Sequence, residues 1–261
     1  MKLLLSFLLF LSFLISMSGC NHIIRGDGRV AKNEIRVDDF DELTIACTTG
    51  EIHFNQSEAS PGLSVTTDEN IIKMLDITQK GQGIEIKLKK EYKDKVLKPT
   101  RFIITANSKT LKEIDLAGKA AFNLDSPFKA EKLEINIAGS GIINLNDSIV
   151  VERLATSIAG SSTINASKLD ISKLEAEIAG SGTYNLEGEA QKVSFEIAGK
   201  GKVSALKLKA YDIDCEVAGY GNMAFYATNT INLEIAGFSR IKYKGNPEIT
   251  QEGFAFVRKV D

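Results

Sequence analysis

The most informative segment of the sequence reads Ile137-Ala138-Gly139-Ser140-Gly141-Ile142-Ile143-Asn144-Leu145. Its centre is an apolar residue followed by Ala-Gly, and this Ala-Gly tripeptide occurs seven times at intervals of 18 to 21 residues. Such regular spacing is typical of proteins built from repeated structural units. The tripeptides end at Gly118, Gly139, Gly160, Gly180, Gly199, Gly219 and Gly237.

The residues around each glycine alternate between apolar and polar. Leu133, Ile135 and Ile137 stand six, four and two positions before Gly139, and the other units have apolar residues at nearly all of the same positions. A period of two indicates a strand with one buried face. After each glycine come one variable residue, one small residue and a second alternating segment, so each unit is predicted to be strand, tight turn and strand.

Two all-β architectures fit this pattern. A meander of hairpins also gives strand-turn-strand units, but it does not require the same residue at the same place in each unit. A β-solenoid does, because equivalent residues stack about 4.8 Å apart. We therefore expect an all-β fold, a β-solenoid (single-stranded β-helix) of about seven coils. An irregular β region before it is expected to cap the open end, with strands near 34–37, 43–47, 51–55, 63–67, 84–88 and 102–105 and a helical turn after Asp68.

Composition excludes several classes of function. The chain has 261 residues, with 32 Lys and Arg against 34 Asp and Glu, for a formal net charge of -2. It therefore lacks the basic surplus with which nucleic-acid-binding proteins neutralise phosphates. Two His, three Cys and no Trp leave little material for a His-based triad or a Cys/His zinc site. No catalytic residue, metal site or cofactor is predicted.

The N-terminus predicts secretion and a lipid anchor. Lys2 precedes an apolar run that is too short to span a membrane, and the run ends in small residues before Cys20. This arrangement resembles a bacterial lipobox, which makes Cys20 the lipidated first residue. The expected location is the cell envelope, at the outer membrane, with the periplasmic or surface face left open. The predicted division is signal peptide 1–19, anchor and linker 20–33, N-terminal β region 34–110 and repeats with a C-terminal cap 111–261.

Cys47 and Cys215 both occupy alternating apolar positions. An oxidising envelope permits a disulfide between them, but buried free thiols are favoured because both positions face the expected core.

From residue 26 to the end, the chain resembles the putative auto-transporter adhesin head GIN domain family of Bacteroidetes. The resemblance is carried by the segment 35–43, by Gly26-Asp27-Gly28, by the Ala-Gly-Ser-Gly turns and by the ending Tyr243-Lys244-Gly245-Asn246-Pro247. It implies a β-helical fold, secretion or lipoprotein anchoring, and an adhesive or binding role. It implies no catalytic residues.

Two outward-facing columns are candidate binding stripes. Three positions before the last four glycines stand glutamates, which either bind a cation such as Ca²⁺ or form a solvated face. The solvated face is favoured, because like charges about 4.8 Å apart in water repel by only about 1 kcal/mol and need no metal. Five positions after the first four glycines stand asparagines, which form either a hydrogen-bonded amide ladder or a glycan contact; the ladder is favoured. The two columns are Glu177, Glu196, Glu216 and Glu234, and Asn123, Asn144, Asn165 and Asn185.

The residues directly after the glycines form the turn tips. The last two, Tyr220 and Phe238, together with Tyr226 and Tyr243, form either a small sticky patch or a cover for the last unit. The complete series is Lys119, Ser140, Ser161, Ser181, Lys200, Tyr220 and Phe238.

Three functional hypotheses follow. The favoured one is a non-catalytic envelope lipoprotein, an adhesin or binding scaffold for a protein or polysaccharide. A carbohydrate-active β-helix enzyme is less well supported, because the acidic column has no regular basic partners and the turns build no cleft walls. The third is a structural protein that assembles end to end as a homo-oligomer, with residues 253–257 as a cap or a joint.

Overall fold

The computed structural model describes residues 23–47 and 50–261, so the predicted signal peptide and the lipid-attachment residue Cys20 lie outside the described residues. One short helix, α1 (Glu69–Ile72), and a 3-10 turn (Lys90–Tyr92) accompany thirteen strands in this part of the chain. The strands are β1 (Ile23–Arg25), β2 (Val30–Ile35), β3 (Glu42–Ala46), β4 (Gly50–Gln56), β5 (Gly62–Asp68), β6 (Leu75–Lys80), β7 (Gly83–Leu88), β8 (Val96–Lys98), β9 (Phe102–Ser108), β10 (Glu113–Leu124), β11 (Phe128–Leu145), β12 (Ile149–Gly245) and β13 (Glu248–Lys259).

The main sheet has mixed strand orientation. Its hydrogen-bonded path runs β13-β12-β11-β10-β4-β9-β5-β2, and β3, β6 and β7 attach beside this path. The pairs from β13 to β9 are parallel, whereas β5 pairs antiparallel with both β9 and β2, and β6 pairs antiparallel with β7. The sheet does not close on itself, and β1 and β8 form a separate parallel pair.

The chain is all-β, but the prediction of a β-solenoid of about seven coils with an irregular cap is wrong. The main sheet is open and mixed in orientation, and the N-terminal strands are part of it rather than a cover over its end. The physical reason lies in the connections, since the two residues between β6 and β7 form a tight turn that reverses the chain and forces antiparallel pairing. The Ala-Gly tripeptides carry no information about this region, because it contains none of them.

The first three Ala-Gly tripeptides nevertheless lie directly opposite one another. Gly118 faces Gly139 across β10 and β11, and Gly139 faces Gly160 across β11 and β12. Ile137 and Ile158 likewise occupy equivalent positions on neighbouring strands. Equivalent apolar residues therefore pack on each other, as the recurrence of the same residue at the same place in each unit indicates.

The glycines permit this close approach of the backbones. Gly139 has φ +131°, and a Cβ atom built on it would lie 2.2 Å from the carbonyl oxygen of Gly118. Gly180 has φ +126°, and its Cβ would lie 2.3 Å from the carbonyl oxygen of Gly160. Only glycine combines a positive φ with room for a neighbouring backbone at this distance.

Individual predictions of the N-terminal region agree well with the structure. The six predicted strands overlap β2, β3, β4, β5, β7 and β9, and the predicted helical turn is α1. The sequence pattern missed β6, where polar residues alternate with only two strong apolar positions. The segment 87–98, whose many charges predict a solvated hairpin or loop, contains the 3-10 turn and β8.

One apolar cluster extends through the described residues. It includes Phe40 and Phe54, whose rings meet edge to face, and continues to Phe195 and Phe225, whose ring centroids are 5.8 Å apart. Cys47 and Cys215 are buried free thiols, as favoured, and burial raises the pKa of each to about 12. The predicted division near residue 110 remains a prediction, although β10 pairs directly with β3 and β4.

Candidate groove site

A groove of about 1150 Å³ opens where the segment between β8 and β9 passes the turns of the Ala-Gly tripeptides. One wall is formed by residues 97–103, and the other by the residues that follow the first four glycines of the tripeptides. Arg25 of β1 and the start of β4 also contribute. We call this the groove; the segments that line it are 97–103, 119–121, 140–142 and 161–163, with Arg25, Gly26, Gly50, Glu51, Ser181 and Thr183.

Four exposed cations line the groove, contributed by β1, β8, the residue before β9 and the turn in β10. None of them forms an ion pair within the described residues. Glu51 is the one carboxylate in the lining, and it faces the His53 ring at 3.6 Å. The local charge is therefore positive, although the chain as a whole has a net charge of -2. The four cations are Arg25, Lys98, Arg101 and Lys119.

A row of side chains from equivalent turn positions runs along the groove. Lys119 is opposite Ser140, and Ser140 is opposite Ser161, with neighbouring strands about 4.8 Å apart. Ser181 continues the row and also lines the groove. All these residues are exposed, so their hydroxyl and ammonium groups are available to a ligand.

Small residues next to this row keep the floor of the groove low. Ala120 faces Gly141, and Gly141 faces Ser162. A Cβ on Gly141 would lie 3.2 Å from the carbonyl oxygen of Ala120, so a larger residue would meet the neighbouring backbone. The sequence indicates that the turns require a small residue two positions after each tripeptide glycine. These small residues therefore also shape the groove.

The predicted glutamate column lies outside the groove. Glu177 is half-buried, and burial together with the neighbouring Glu196 raises the pKa of its carboxyl. Glu196, Glu216 and Glu234 are exposed. Within residues 23–47 and 50–261, no group of three or more His, Cys, Asp or Glu side chains is arranged to hold a metal ion.

The predicted asparagine column is a hydrogen-bonded ladder. The Nδ2 of Asn144 donates to Oδ1 of Asn123 at 2.9 Å, Asn165 donates to Asn144 at 2.8 Å, and Asn185 donates to Asn165 at 2.8 Å. These are short, regular bonds between neighbouring strands. The hydrogen-bonded amide ladder that the sequence favours is therefore present. Asn165 and Asn185 also border a smaller cleft of about 480 Å³.

The predicted aromatic residues separate into different environments. Tyr220 stacks on Phe238 with ring centroids 5.9 Å apart, and Phe238 also contacts Phe254 and Phe256. Tyr243 instead packs against the core, and Tyr226 lies beneath the Lys244 ammonium.

His53 is the one histidine among the described residues. Its Nδ1 lies 2.6 Å from Asp125, and its Nε2 faces Glu51. Both ring nitrogens therefore meet carboxylates rather than a hydroxyl or thiol nucleophile, an arrangement that ties β4 to the end of β10.

Sequence reasoning identifies Lys119 and the serine row as turn tips but misses the groove itself. Lys98 and Arg101 lie on the far wall, and no periodic signal connects them to the tripeptides. The charge-rich segment from 87 to 98 is the one indication that the sequence offers.

Several solved structures are similar to this chain. A Parabacteroides distasonis protein described as a putative lipid binding protein has 32% identity and a TM-score of 0.85, covering 92% of this chain and 100% of its own. A putative adhesin from Parabacteroides merdae has 26% identity and a TM-score of 0.79, with coverage of 92% and 100%. A second putative adhesin from P. distasonis has 25% identity and a TM-score of 0.79, with coverage of 91% and 100%.

No curated protein matches the chain. In the described part of the chain, no helix has the length and apolar character needed to cross a membrane. The family model described as putative auto-transporter adhesin, head GIN domain matches residues 39–247, and the chain therefore belongs to this family.

Proposed function

We propose that the protein is a non-catalytic adhesin of the cell envelope and that the groove binds an acidic polysaccharide. Its family and most of the similar structures are described as adhesins, which suggests a location in the envelope or on the surface. The observation that carries the proposal is the set of four groove cations without acidic partners, facing a single carboxylate.

The chemistry of the groove fits such a ligand in two ways. Arg and Lys side chains bind carboxylate or sulfate groups through charge-assisted hydrogen bonds, and Arg25 and Arg101 can do so with two parallel bonds. The row of Ser140, Ser161 and Ser181 offers hydroxyls at regular intervals, which suits a polymer of sugar rings. The groove is open rather than enclosed, so a chain can lie along it.

Binding of polygalacturonate and of the uncharged polymer dextran, measured by calorimetry, tests this function. We expect the acidic polymer to bind and the neutral one not to bind. Arg101→Ala and Lys119→Ala should each weaken binding about tenfold, because each removes a charged hydrogen bond. Added salt should weaken binding as well.

Lys168→Ala is the matched control, because this exposed lysine pairs with Asp147 outside the groove. It should leave the affinity unchanged. Equal binding of both polymers, or an Arg101→Ala variant with unchanged affinity, would refute the assignment of the groove.

Anchoring through a lipid on Cys20 is part of the same proposal. We expect radiolabelled palmitate to be incorporated into the wild-type protein and not into Cys20→Ser, which should leave the membrane fraction. Recovery of an unlabelled wild-type protein in the soluble fraction would exclude the anchor.

Lipid binding is the second candidate, favoured by the 32% identical relative that is described as a putative lipid binding protein. Arg25 stands five residues after Cys20, a distance of at most about 18 Å along an extended chain, so an anchored protein would hold the groove near lipid headgroups. Cosedimentation of Cys20→Ser with vesicles that contain phosphatidylglycerol, compared with pure phosphatidylcholine vesicles, distinguishes the candidates. Binding to the anionic vesicles without binding to polygalacturonate would favour lipid.

A further inference from the structure

The last strand of the main sheet has a free edge. β13 pairs with β12 on one side, and within the described residues no strand pairs with its other side. Where the register shifts, β12 advances from Ile235 to Ser239 while β13 advances only from Gly253 to Ala255. The additional residues are therefore in β12, and the outer edge of β13 continues without an insertion. A free edge of this length is a template for another strand.

The edge strand also carries the two most exposed large apolar side chains of the described residues. Phe254 is 56% exposed and Phe256 is 58% exposed. Their rings contact each other at 5.1 Å and also contact Phe238. Aromatic side chains that cluster at the surface are typical of the centres of protein interfaces.

The charges of β13 are separated by sign. Glu248 and Glu252 lie in its first half, whereas Arg258 and Lys259 lie at its end. None of the four forms an ion pair within residues 23–47 and 50–261. An antiparallel copy of the same strand would place the acidic half of one beside the basic half of the other, so the strand is complementary to itself.

The present cover of the edge is slight. The Gln251 amide donates to the carbonyl oxygens of Gly253 and Ala255, at 3.1 and 3.4 Å. This side chain is exposed, and a strand that supplies backbone N–H groups could replace it.

We propose that two copies of the chain associate through β13, in antiparallel orientation about a two-fold axis. The pairing joins the two main sheets into one and gathers the Phe254 and Phe256 rings of both copies on the same face. Charge complementarity selects a second copy as the occupant, because an antiparallel copy brings the acidic half of one strand beside the basic half of the other. A parallel copy would bring like charges together. The inference is independent of the polysaccharide proposal.

Sedimentation velocity of the purified protein, with paired charge reversals, tests the interface. The wild type should be a dimer. Glu248→Lys with Glu252→Lys should be monomeric, because every charged group of β13 is then positive, and Arg258→Glu with Lys259→Glu should be monomeric for the opposite reason. An equal mixture of the two double variants should regain the dimer mass.

Circular dichroism melting shows whether each double variant is folded, and Lys168→Glu controls for a change in surface charge elsewhere. A wild type that stays monomeric at every concentration overturns the proposal. So do charge-reversed variants that dimerise as the wild type does, or a wild-type monomer that instead attaches to phosphatidylglycerol vesicles through Phe254 and Phe256.

Discussion

At the level of single residues, the glycines that end the Ala-Gly tripeptides have the strictest requirements. Gly139, Gly160 and Gly180 all have a positive φ. A Cβ atom added to any of them would also lie less than 2.5 Å from the carbonyl oxygen of the glycine that ends the preceding tripeptide. The obstacle is backbone, which cannot rotate away as a side chain can. Substitution at these sites therefore requires strands to separate.

Gly180→Ala should lower the free energy of unfolding by about 3 kcal/mol, from strained φ and from the contact with Gly160 together. Gly81→Ala is the control, because Gly81 has φ +60° but no atom lies within 4 Å of a Cβ placed on it. It should cost about 1 kcal/mol. Urea unfolding followed by circular dichroism measures both, and equal losses would show that the close backbone contact is unimportant.

Glu113 gives the stability a specific dependence on pH. Burial, followed by the nearby carboxylates of Asp115 and Glu134, raises the pKa of Glu113 to about 7 from an ordinary 4.5. The folded protein holds this proton more tightly than the unfolded chain does. The stabilisation from the proton is therefore complete below about pH 4.5 and is lost as the pH rises to about 7.

Glu113→Gln should remove this dependence, because glutamine does not titrate and can still accept the hydrogen bond from Asn136. The free energy of unfolding of the wild type minus that of the variant should fall between pH 4.5 and 7 and then remain constant. Urea midpoints measured across this range test it. A difference that is constant or rises with pH would contradict the assigned cause.

At the level of elements, the asparagine ladder links β10, β11 and β12. Each interior amide uses its N–H to bond one neighbour and its carbonyl oxygen to accept from the other. Removal of an interior member leaves two groups without a partner, whereas removal of the last member leaves one.

Asn144→Ala should therefore destabilise the protein about twice as much as Asn185→Ala, roughly 2 against 1 kcal/mol. Asn144 takes part in two ladder bonds and Asn185 donates one. Thermal melting of the two variants provides the comparison. Equal shifts would show that the loss of stability does not depend on the number of ladder bonds removed.

The ladder and the groove differ in how far sequence could predict them. The asparagines recur at constant spacing beside a strand pattern, so their alignment follows from the period alone. Arg25, Lys98 and Arg101 come from segments without a repeat, and only tertiary contacts bring them near Lys119. The antiparallel pairs of β5 and β6 escape prediction for a similar reason, since alternation predicts a strand but not the direction of its neighbour.

At the level of the whole molecule, the N-terminal strands and the tripeptide strands share one core. β10 pairs with β3 through Glu113–Leu116 and with β4 through Ala120–Leu124, and buried residues on both sides belong to the same cluster. Pairing with β3 and β4 within the sheet therefore satisfies the backbone groups of β10 and buries apolar side chains that β10 would otherwise expose.

A fragment of residues 111–261 should accordingly fail to fold stably. Loss of β3 and β4 leaves β10 with a free edge beside an exposed core, which favours aggregation. Size-exclusion chromatography and binding of a hydrophobic dye would detect this, with the chain 23–261 as the control. A fragment that stays free of aggregates and melts in a cooperative transition would support the predicted division near residue 110.

The length of β12 has a consequence for resistance to proteolysis. A protease must hold several residues of its substrate in an extended form with unpaired backbone, which surface loops normally provide. Between Ile149 and Gly245 the backbone is paired as strand throughout, and the turns at positive-φ glycines such as Gly160 and Gly180 are part of the strand. The lysines of this segment are plentiful but offer no such loop, so trypsin should cleave it slowly.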